Sequence, residues 1–113
     1  MMELVEYDLH PRGARVDDAL AQLERVISAE RARAPSLFAV VTGYGSSGGT
    51  AKIKASVLSA CRRYLQLRHI RGYLDGEFAG DMFSPQGMAF PDMARLPVSA
   101  RRAPNPGVVY ICV

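Results

Sequence analysis

A glycine-rich stretch between an apolar run and a helix-forming segment is the part of this sequence best suited to chemistry. It reads VVTGYGSSGGTAKIKASVL from Val40 to Leu58, and four of the seven residues at 43–49 are glycine. Glycine lets backbone N–H groups approach an anion closely, and the N-terminus of a following helix adds the positive end of its dipole. The stretch therefore predicts a loop that binds phosphate.

The predicted phosphate- or nucleic-acid-binding residues combine this loop with nearby hydroxyl and ammonium groups. They are Thr42, Gly43, Tyr44, Gly45, Ser46, Ser47, Gly48, Gly49, Thr50, Lys52 and Lys54. The spacing is close to the nucleotide-binding pattern G-x-x-x-x-G-K-[ST], but Gly49 stands where that pattern needs lysine. A nucleoside triphosphate site is therefore not expected. A glycine-rich turn that serves only packing is the alternative.

A second chemical motif lies near the N-terminus, where Asp8 and His10 are two residues apart in a strand-like segment. Residues two apart in a strand point to the same face of a sheet. A carboxylate beside an imidazole fixes its tautomer or favours its charged form, which suits a general acid or base. The pair is our candidate catalytic site, and a solvated strand end is the alternative.

The hydrophobic pattern predicts the elements that carry these motifs. Residues 4–9 alternate, residues 37–42 form a continuous apolar run, and residues 16–34 and 51–67 show helical spacing, with Thr50 as the expected N-cap. The predicted order is strand, helix, strand, helix, strand, strand at 4–9, 16–34, 37–42, 51–67, 70–74 and 107–113. This order is typical of an α/β two-layer sandwich, β-α-β-α-β-β, with a mixed four-stranded sheet whose first strands are parallel.

The segment 76–106 is much longer than an ordinary connection between strands. We expect it to be a cover over part of the sheet or a mobile functional segment, with a short helical turn near Pro91 to Leu96. The whole chain, 1–113, is predicted to form a single domain.

Topology predicts that the two chemical motifs meet. If the first two strands are parallel neighbours, both end at the same edge of the sheet, and ligands of open α/β sheets bind at that edge. Asp8 and His10 would then lie beside the loop that begins at Thr42.

Composition narrows the partner and the compartment. The net charge is +3 and the pI is near 9.1, which leans weakly toward polyanionic partners. Cys61 and Cys112 are expected to be reduced, buried thiols rather than a disulfide. No apolar run reaches membrane-spanning length and the N-terminus does not have a signal-peptide pattern, so we expect a cytoplasmic protein without membrane contact.

With both motifs placed, the sequence resembles the Smr (small MutS-related) family. That family has an L-D-x-H-like motif at the end of its first strand and a [TH]-G-x-G motif after its second. Here these read Tyr7-Asp8-Leu9-His10 and Thr42-Gly43-Tyr44-Gly45. The stretches SGGTAKIKASV and NPGVVYICV also resemble compact bacterial single-domain members, so the resemblance spans nearly the whole chain.

The resemblance implies a fold similar to the C-terminal domain of translation initiation factor three. It implies nucleic-acid binding and endonuclease activity, nicking DNA or cutting RNA, with Asp8, His10, Thr42, Gly43 and Gly45 as the site. Two features depart from the family pattern: Pro11 replaces the usual glycine after the motif histidine, and the segment 76–106 is longer than in many members.

The combined hypothesis is a phosphodiester-cleaving site. His10 would deprotonate the attacking hydroxyl or protonate the leaving oxygen, and Asp8 would orient His10 or hold Mg²⁺ or Mn²⁺. The loop N–H groups would stabilise charge on the phosphate oxygens. The alternatives are a non-catalytic DNA-, RNA- or ribosome-binding module and a binder of small phosphorylated molecules. The sequence does not separate DNA from RNA.

Overall fold

A computed structural model describes residues 4–9, 15–43, 48–81 and 83–113, with the side chains of residues 48–51 outside the description. The strands are β1 (Val5–Asp8), β2 (Leu37–Val41), β3 (Gly72–Asp75) and β4 (Val108–Cys112). The helices are α1 (Val16–Arg31), α2 (Gly48–Gln66), α3 (Pro85–Ala89) and α4 (Val98–Arg102), with 3₁₀ turns at Gly76–Phe78 and Met93–Arg95. The predicted α/β class is confirmed.

The four strands form one mixed sheet in the order β1-β2-β4-β3. β1 and β2 are parallel, as predicted, and β4 is antiparallel to both of its neighbours. β1, β2 and β3 therefore all end at the edge of the sheet where β4 begins. We call this edge the loop edge, because the glycine-rich loop leaves β2 there.

One face of the sheet packs against the two long helices, as the periodicity predicts. The helix-side core contains fifteen buried residues: Leu9, Ala19, Leu23, Val26, Ile27, Phe38, Val40, Ile53, Val57, Ala60, Cys61, Ile70, Val109, Ile111 and Val113. Asp17 and Asp18 in the first turn of α1 and Arg31 in the last turn complement its dipole. The helix ends at Arg31 rather than at Ala34, since the residue before Pro35 disfavours helical dihedrals.

A buried carboxylate ties this layer together. Glu30 of α1 is 2% exposed and accepts hydrogen bonds from the Tyr7 hydroxyl, the Ser36 hydroxyl and the Arg33 guanidinium, each at 2.8 Å. These donors come from β1, from the residue before β2 and from the turn that follows α1. Burial raises the pKa of Tyr7, and the hydrogen bond to Glu30 raises it further. The network fixes β1 against α1 without leaving a buried charge unpaired.

The segment 76–106 covers the opposite face of the sheet, and we call it the cover segment. Phe90, Met93 and Leu96 are buried on that face with Leu74 and Tyr110. The two-layer description holds for the sheet and its long helices, and the cover segment adds short helices on the other side. Of the two predicted alternatives, a cover or a mobile segment, the structure shows the cover. A 3₁₀ turn at Met93–Arg95 lies inside the predicted helical turn.

Ion pairs and caps hold the cover segment in place. Asp92 Oδ2 lies 2.8 Å from Arg71 Nη2 and 3.2 Å from Arg95 Nη1. The Ser84 hydroxyl accepts the Gly87 N–H at 2.9 Å and so caps α3. Gln86 of α3 accepts the backbone N–H of Asp75 in β3 at 3.4 Å.

The two cysteines lie on opposite faces of the sheet. Cys61 belongs to the helix-side core and Cys112 to the cover-side core, and both are free and buried, as predicted. Burial raises the pKa of Cys61 to about 12 and that of Cys112 to about 11. Neither thiol is therefore suited to nucleophilic chemistry near neutral pH. Within the described ranges, no helix has both the length and the apolar character needed to cross a membrane.

Candidate functional site

The parallel pairing of β1 with β2 places Asp8 at the entrance to the glycine-rich loop. Asp8 lies opposite Val41, and the next residue, Leu9, donates its N–H to the Val41 carbonyl at 2.9 Å. Asp8 is exposed, whereas Thr42 is fully buried. The structure thus brings Asp8 together with Thr42 and Gly43. The predicted residues His10, Tyr44, Gly45, Ser46 and Ser47 lie outside the described residues.

Asp8 shares its face of β1 with a second carboxylate. Tyr7 and Leu9 pack with the helix-side core and Leu4 with the cover-side core, so strand alternation puts Glu6 and Asp8 on the cover side. Both carboxylates are exposed. The cover segment therefore buries the inner strands and leaves these two positions of β1 open to solvent.

Tyr110 lies in the same row of the sheet as Glu6, because Glu6 pairs with Ala39 and Ala39 pairs with Tyr110. Burial raises the pKa of Tyr110, and the negative charge of Glu6 raises it further. The phenol of Tyr110 therefore stays protonated at neutral pH.

The start of the loop is held by a single carbonyl oxygen. Gly107 O accepts the N–H of Thr42 at 2.8 Å, the N–H of Gly43 at 3.2 Å and the Thr42 hydroxyl at 3.3 Å. Gly43 has a φ of 84°, a conformation that favours glycine. The N–H groups of Thr42 and Gly43 are thus directed at the protein itself. These two N–H groups shape the start of the loop, and the other predicted phosphate-binding residues follow them in the chain.

Those following residues include the start of α2. The helix begins at Gly48, earlier than the predicted start at Ala51, so Thr50 lies in the first turn and not at the N-cap. The N–H groups of this first turn have no acceptor within the helix. Gly48, Gly49 and Thr50 thus place the positive end of a helix of 19 residues directly after the loop.

The two predicted lysines have different environments. Lys54 Nζ lies 3.2 Å from Asp75 Oδ2, with 18% of the lysine side chain and 8% of the aspartate side chain exposed. Asp75 Oδ1 also accepts the Glu77 N–H at 3.1 Å. The charge of Lys54 is therefore already compensated. Lys52 is exposed and is the ammonium group available to an external phosphate.

Two residues of the loop edge were missed by sequence reasoning. Asp75 ends β3 and pairs with Lys54, and Gly107 precedes β4 and holds Thr42 and Gly43. The signal for Gly107 was the turn sequence Asn105-Pro106-Gly107 directly before the last strand. An antiparallel last strand next to β2 would begin beside the end of β2.

The described part of the chain also bears on the predicted Mg²⁺ or Mn²⁺ ion. Within it, no group of three or more His, Cys, Asp or Glu side chains could hold a metal ion. The carboxylates of Glu6 and Asp8 alone supply fewer oxygen ligands than a dedicated Mg²⁺ or Mn²⁺ site uses. We therefore assign no metal ion to these two residues.

Comparisons of the chain with protein-family models, with curated proteins and with solved structures find no match. The Smr resemblance thus stands on the motifs of the first two strand ends and remains a hypothesis about this chain. The function must be argued from the loop edge itself.

Proposed function

We propose that this chain is an Smr-like nucleic-acid-binding domain that cleaves phosphodiester bonds. The observation that carries the proposal is the parallel pairing of β1 with β2. It places the exposed Asp8 beside the first residues of a glycine-rich loop, and that loop leads directly into the N-terminus of α2. An exposed carboxylate thus ends one strand at the loop edge and the N-terminus of a long helix follows another, and a helix N-terminus favours anions.

The binding half of the proposal rests on α2. A backbone phosphate would lie at the first turn of this helix, where N–H groups and the helix dipole favour negative charge. Lys52, exposed in the second turn, adds a positive charge that Lys54 does not, because Lys54 is paired with Asp75. Affinity for nucleic acid should therefore fall steeply with salt concentration.

The catalytic half assigns the proton transfers to the Asp8-x-His10 motif. His10 takes the proton of the attacking hydroxyl, or gives a proton to the oxygen that leaves phosphorus when the P–O bond breaks. Asp8 orients the imidazole by accepting a hydrogen bond. The loop and the first turn of α2 stabilise the negative charge that develops on the non-bridging oxygens.

Cleavage is tested with purified protein and with single-stranded and structured DNA and RNA, each with and without Mg²⁺ or Mn²⁺. His10→Ala should lower the cleavage rate by about 10²–10⁴ and keep most of the affinity. Asp8→Asn should lose less, since the amide oxygen still accepts a hydrogen bond. Glu6→Gln is the matched control, because it neutralises a carboxylate on the same strand face and should leave the rate near that of the wild type.

The same assays contain the outcomes that contradict the proposal. Equal, slow cleavage by the wild type and His10→Ala would mean contamination, and tight salt-dependent binding alone would indicate a non-catalytic module. Lys52→Ala should flatten the salt dependence more than Lys54→Ala does. If the wild type binds neither DNA nor RNA, or binds without salt dependence, the small-phosphate alternative replaces the proposal.

A further inference from the structure

We propose that the turn Asn105–Gly107 is a positioning element of the loop edge, and that the cover segment acts on the nucleic-acid site through it. The inference deepens the proposed function and rests on it for the identity of the ligand. What the turn positions is the start of the glycine-rich loop, at Thr42 and Gly43.

The first step is that Gly107 O is the common acceptor for this part of the loop. Two backbone N–H groups and one hydroxyl, from Thr42 and Gly43, all converge on it within 3.3 Å. A carbonyl with three donors fixes the direction in which the chain leaves β2. The positive φ of Gly43 makes that direction a sharp one.

The second step is that Gly107 is itself held by Asn105. Asn105 Oδ1 accepts the Gly107 N–H at 2.8 Å, and the Asn105 carbonyl accepts the Val108 N–H at 3.2 Å. A side chain on Gly107 would bring its Cβ within 3.3 Å of the Gly43 carbonyl carbon. The turn and the loop are thus in backbone contact, and a shift in one displaces the other.

The third step connects the turn to the cover segment. The turn forms its C-terminal end, and Gly76 forms its N-terminal end. A side chain on Gly76 would collide with the backbone carbonyls of Asn105 and Val108. Both ends of the cover segment therefore meet at the loop edge. The two ends of the cover segment thus lie next to each other beside the candidate site. A change in how the cover segment packs would shift the turn and, through it, Thr42 and Gly43.

The test compares three variants with the wild type. Asn105→Ala removes the acceptor for the Gly107 N–H, and Asn105→Asp keeps an acceptor oxygen in the same position. Ser84→Ala is the matched control, because it removes a side-chain acceptor at 2.9 Å from another backbone N–H of the cover segment. Each variant is assayed for affinity for a labelled single-stranded oligonucleotide, amide hydrogen exchange of Gly43 and thermal unfolding.

We expect Asn105→Ala to weaken oligonucleotide binding about three- to tenfold, the size of one lost hydrogen bond, and to speed the exchange of the Gly43 amide. Asn105→Asp should restore the slow exchange of the Gly43 amide. Ser84→Ala should lower the unfolding temperature and leave binding and exchange unchanged. If Asn105→Ala does not fold, Gly107→Ala replaces it, since its Cβ would lie 3.2 Å from Asn105 Oδ1 and 3.3 Å from the Gly43 carbonyl carbon and so press on both sides of the same contact.

The outcomes separate this inference from the proposed function. If the wild type binds the oligonucleotide and Asn105→Ala binds it equally well, the positioning role is wrong and the proposed function stands. If the amide of Gly43 exchanges at the same rate in Asn105→Ala as in the wild type, the positioning role is likewise wrong. If the wild type binds no nucleic acid, the proposed function fails and the positioning role fails with it, whatever the Gly43 amide shows.

Discussion

The two faces of the sheet are covered by different kinds of structure. The helix side is covered by α1 and α2, which have 16 and 19 residues, and the cover side by α3 and α4, which have five residues each. Long amphipathic helices bring their own backbone hydrogen bonds and a continuous apolar stripe. Helices of five residues are too short to be stable by themselves. The cover side must therefore rely on side-chain ties and on the sheet beneath it.

The buried carboxylates show the same contrast. Glu30 on the helix side is 2% exposed and receives donors from β1, from Arg33 after the end of α1 and from the residue before β2. Asp92 on the cover side pairs with Arg71 and Arg95, whose side chains are each 42% exposed. Arg33, the arginine partner of Glu30, is itself 63% exposed, so its ion pair with Glu30 contributes little. The difference lies in the half-buried hydroxyls of Tyr7 and Ser36, which donate to Glu30, whereas the described ion-pair partners of Asp92 are two arginines. We infer that the helix side opens only on global unfolding and that the cover side opens first.

The largest expected effect comes from truncating the helix-side core. Phe38 is fully buried and makes an edge-to-face contact with Tyr7, with ring centroids 5.8 Å apart. Phe38→Ala should lower the free energy of unfolding by about 3–5 kcal/mol in urea denaturation. Phe83→Ala is the control, since Phe83 is 91% exposed and should change stability by less than about 0.5 kcal/mol.

On the cover side the comparable change is Leu96→Ala, at a residue that is 2% exposed. We expect a loss of about 2–3 kcal/mol, with faster amide exchange in the cover segment and little change in the amides of α1. A uniform increase of exchange across both faces would contradict the inferred order of opening.

The next effect separates the two carboxylates. Glu30→Ala should lower the free energy of unfolding by about 3 kcal/mol, because it leaves the half-buried hydroxyls of Tyr7 and Ser36 without this acceptor. Asp92→Ala should lower it by only about 1–2 kcal/mol and should speed exchange in the cover segment selectively. Equal losses from the two variants, measured in the same urea titration, would remove the distinction between the faces.

These differences explain which elements the sequence predicts. α1, α2 and β2 were predicted within a few residues, because apolar periodicity and a continuous apolar run report burial directly. α3 and α4 were not predicted, since a helix of five residues shows little more than one turn of periodicity. The ties of Asp92 to Arg71 and of Asp75 to Lys54 join residues 21 positions apart and leave no local pattern.

The candidate site was predictable to a similar degree. The approach of Asp8 to the glycine-rich loop followed from parallel strands, and that topology was read from the order of elements. The pairing of Lys54 with Asp75 depends on which side of α2 meets β3, and the contact from Gly107 depends on the position of β4 in the sheet. Neither contact can be predicted from the spacing of residues along the chain.

A smaller effect concerns alkaline pH on the helix side. The pKa of Cys61 is raised by burial from 9.0 to about 12. Folding therefore favours the protonated thiol, and the stability that it contributes is complete below pH 9 and is lost as the pH rises toward 12. Between these values the free energy of unfolding should fall by about 1.4 kcal/mol per pH unit for this group. Cys61→Ala, compared with the wild type in urea titrations at several pH values, should have a shallower slope by that amount.

The smallest expected effect is measured on the folded protein, with the reactivity of the two thiols reporting how easily each side of the sheet opens. Cys112 lies in the core beneath the cover segment, and Cys61 of α2 lies in the helix-side core. Both are fully buried. A thiol reagent added under native conditions should modify Cys112 first, about tenfold faster for each 1.4 kcal/mol by which the cover side opens more easily. The single variants Cys61→Ala and Cys112→Ala assign the two rates. Faster modification of Cys61 would reverse the inferred order of opening.

The hydrogen bond from the Asp75 N–H to Gln86 also bears on self-association. β3 is an outermost strand, and an outermost strand offers unpaired backbone groups to a second chain. Gln86 occupies one of those groups, and α3, beside β3, would have to be displaced before another strand could add there. On the opposite border, two copies of β1 joined side by side would bring Glu6 and Asp8 of both chains together. Steric obstruction on one border and like-charge repulsion on the other both discourage growth of the sheet into a polymer.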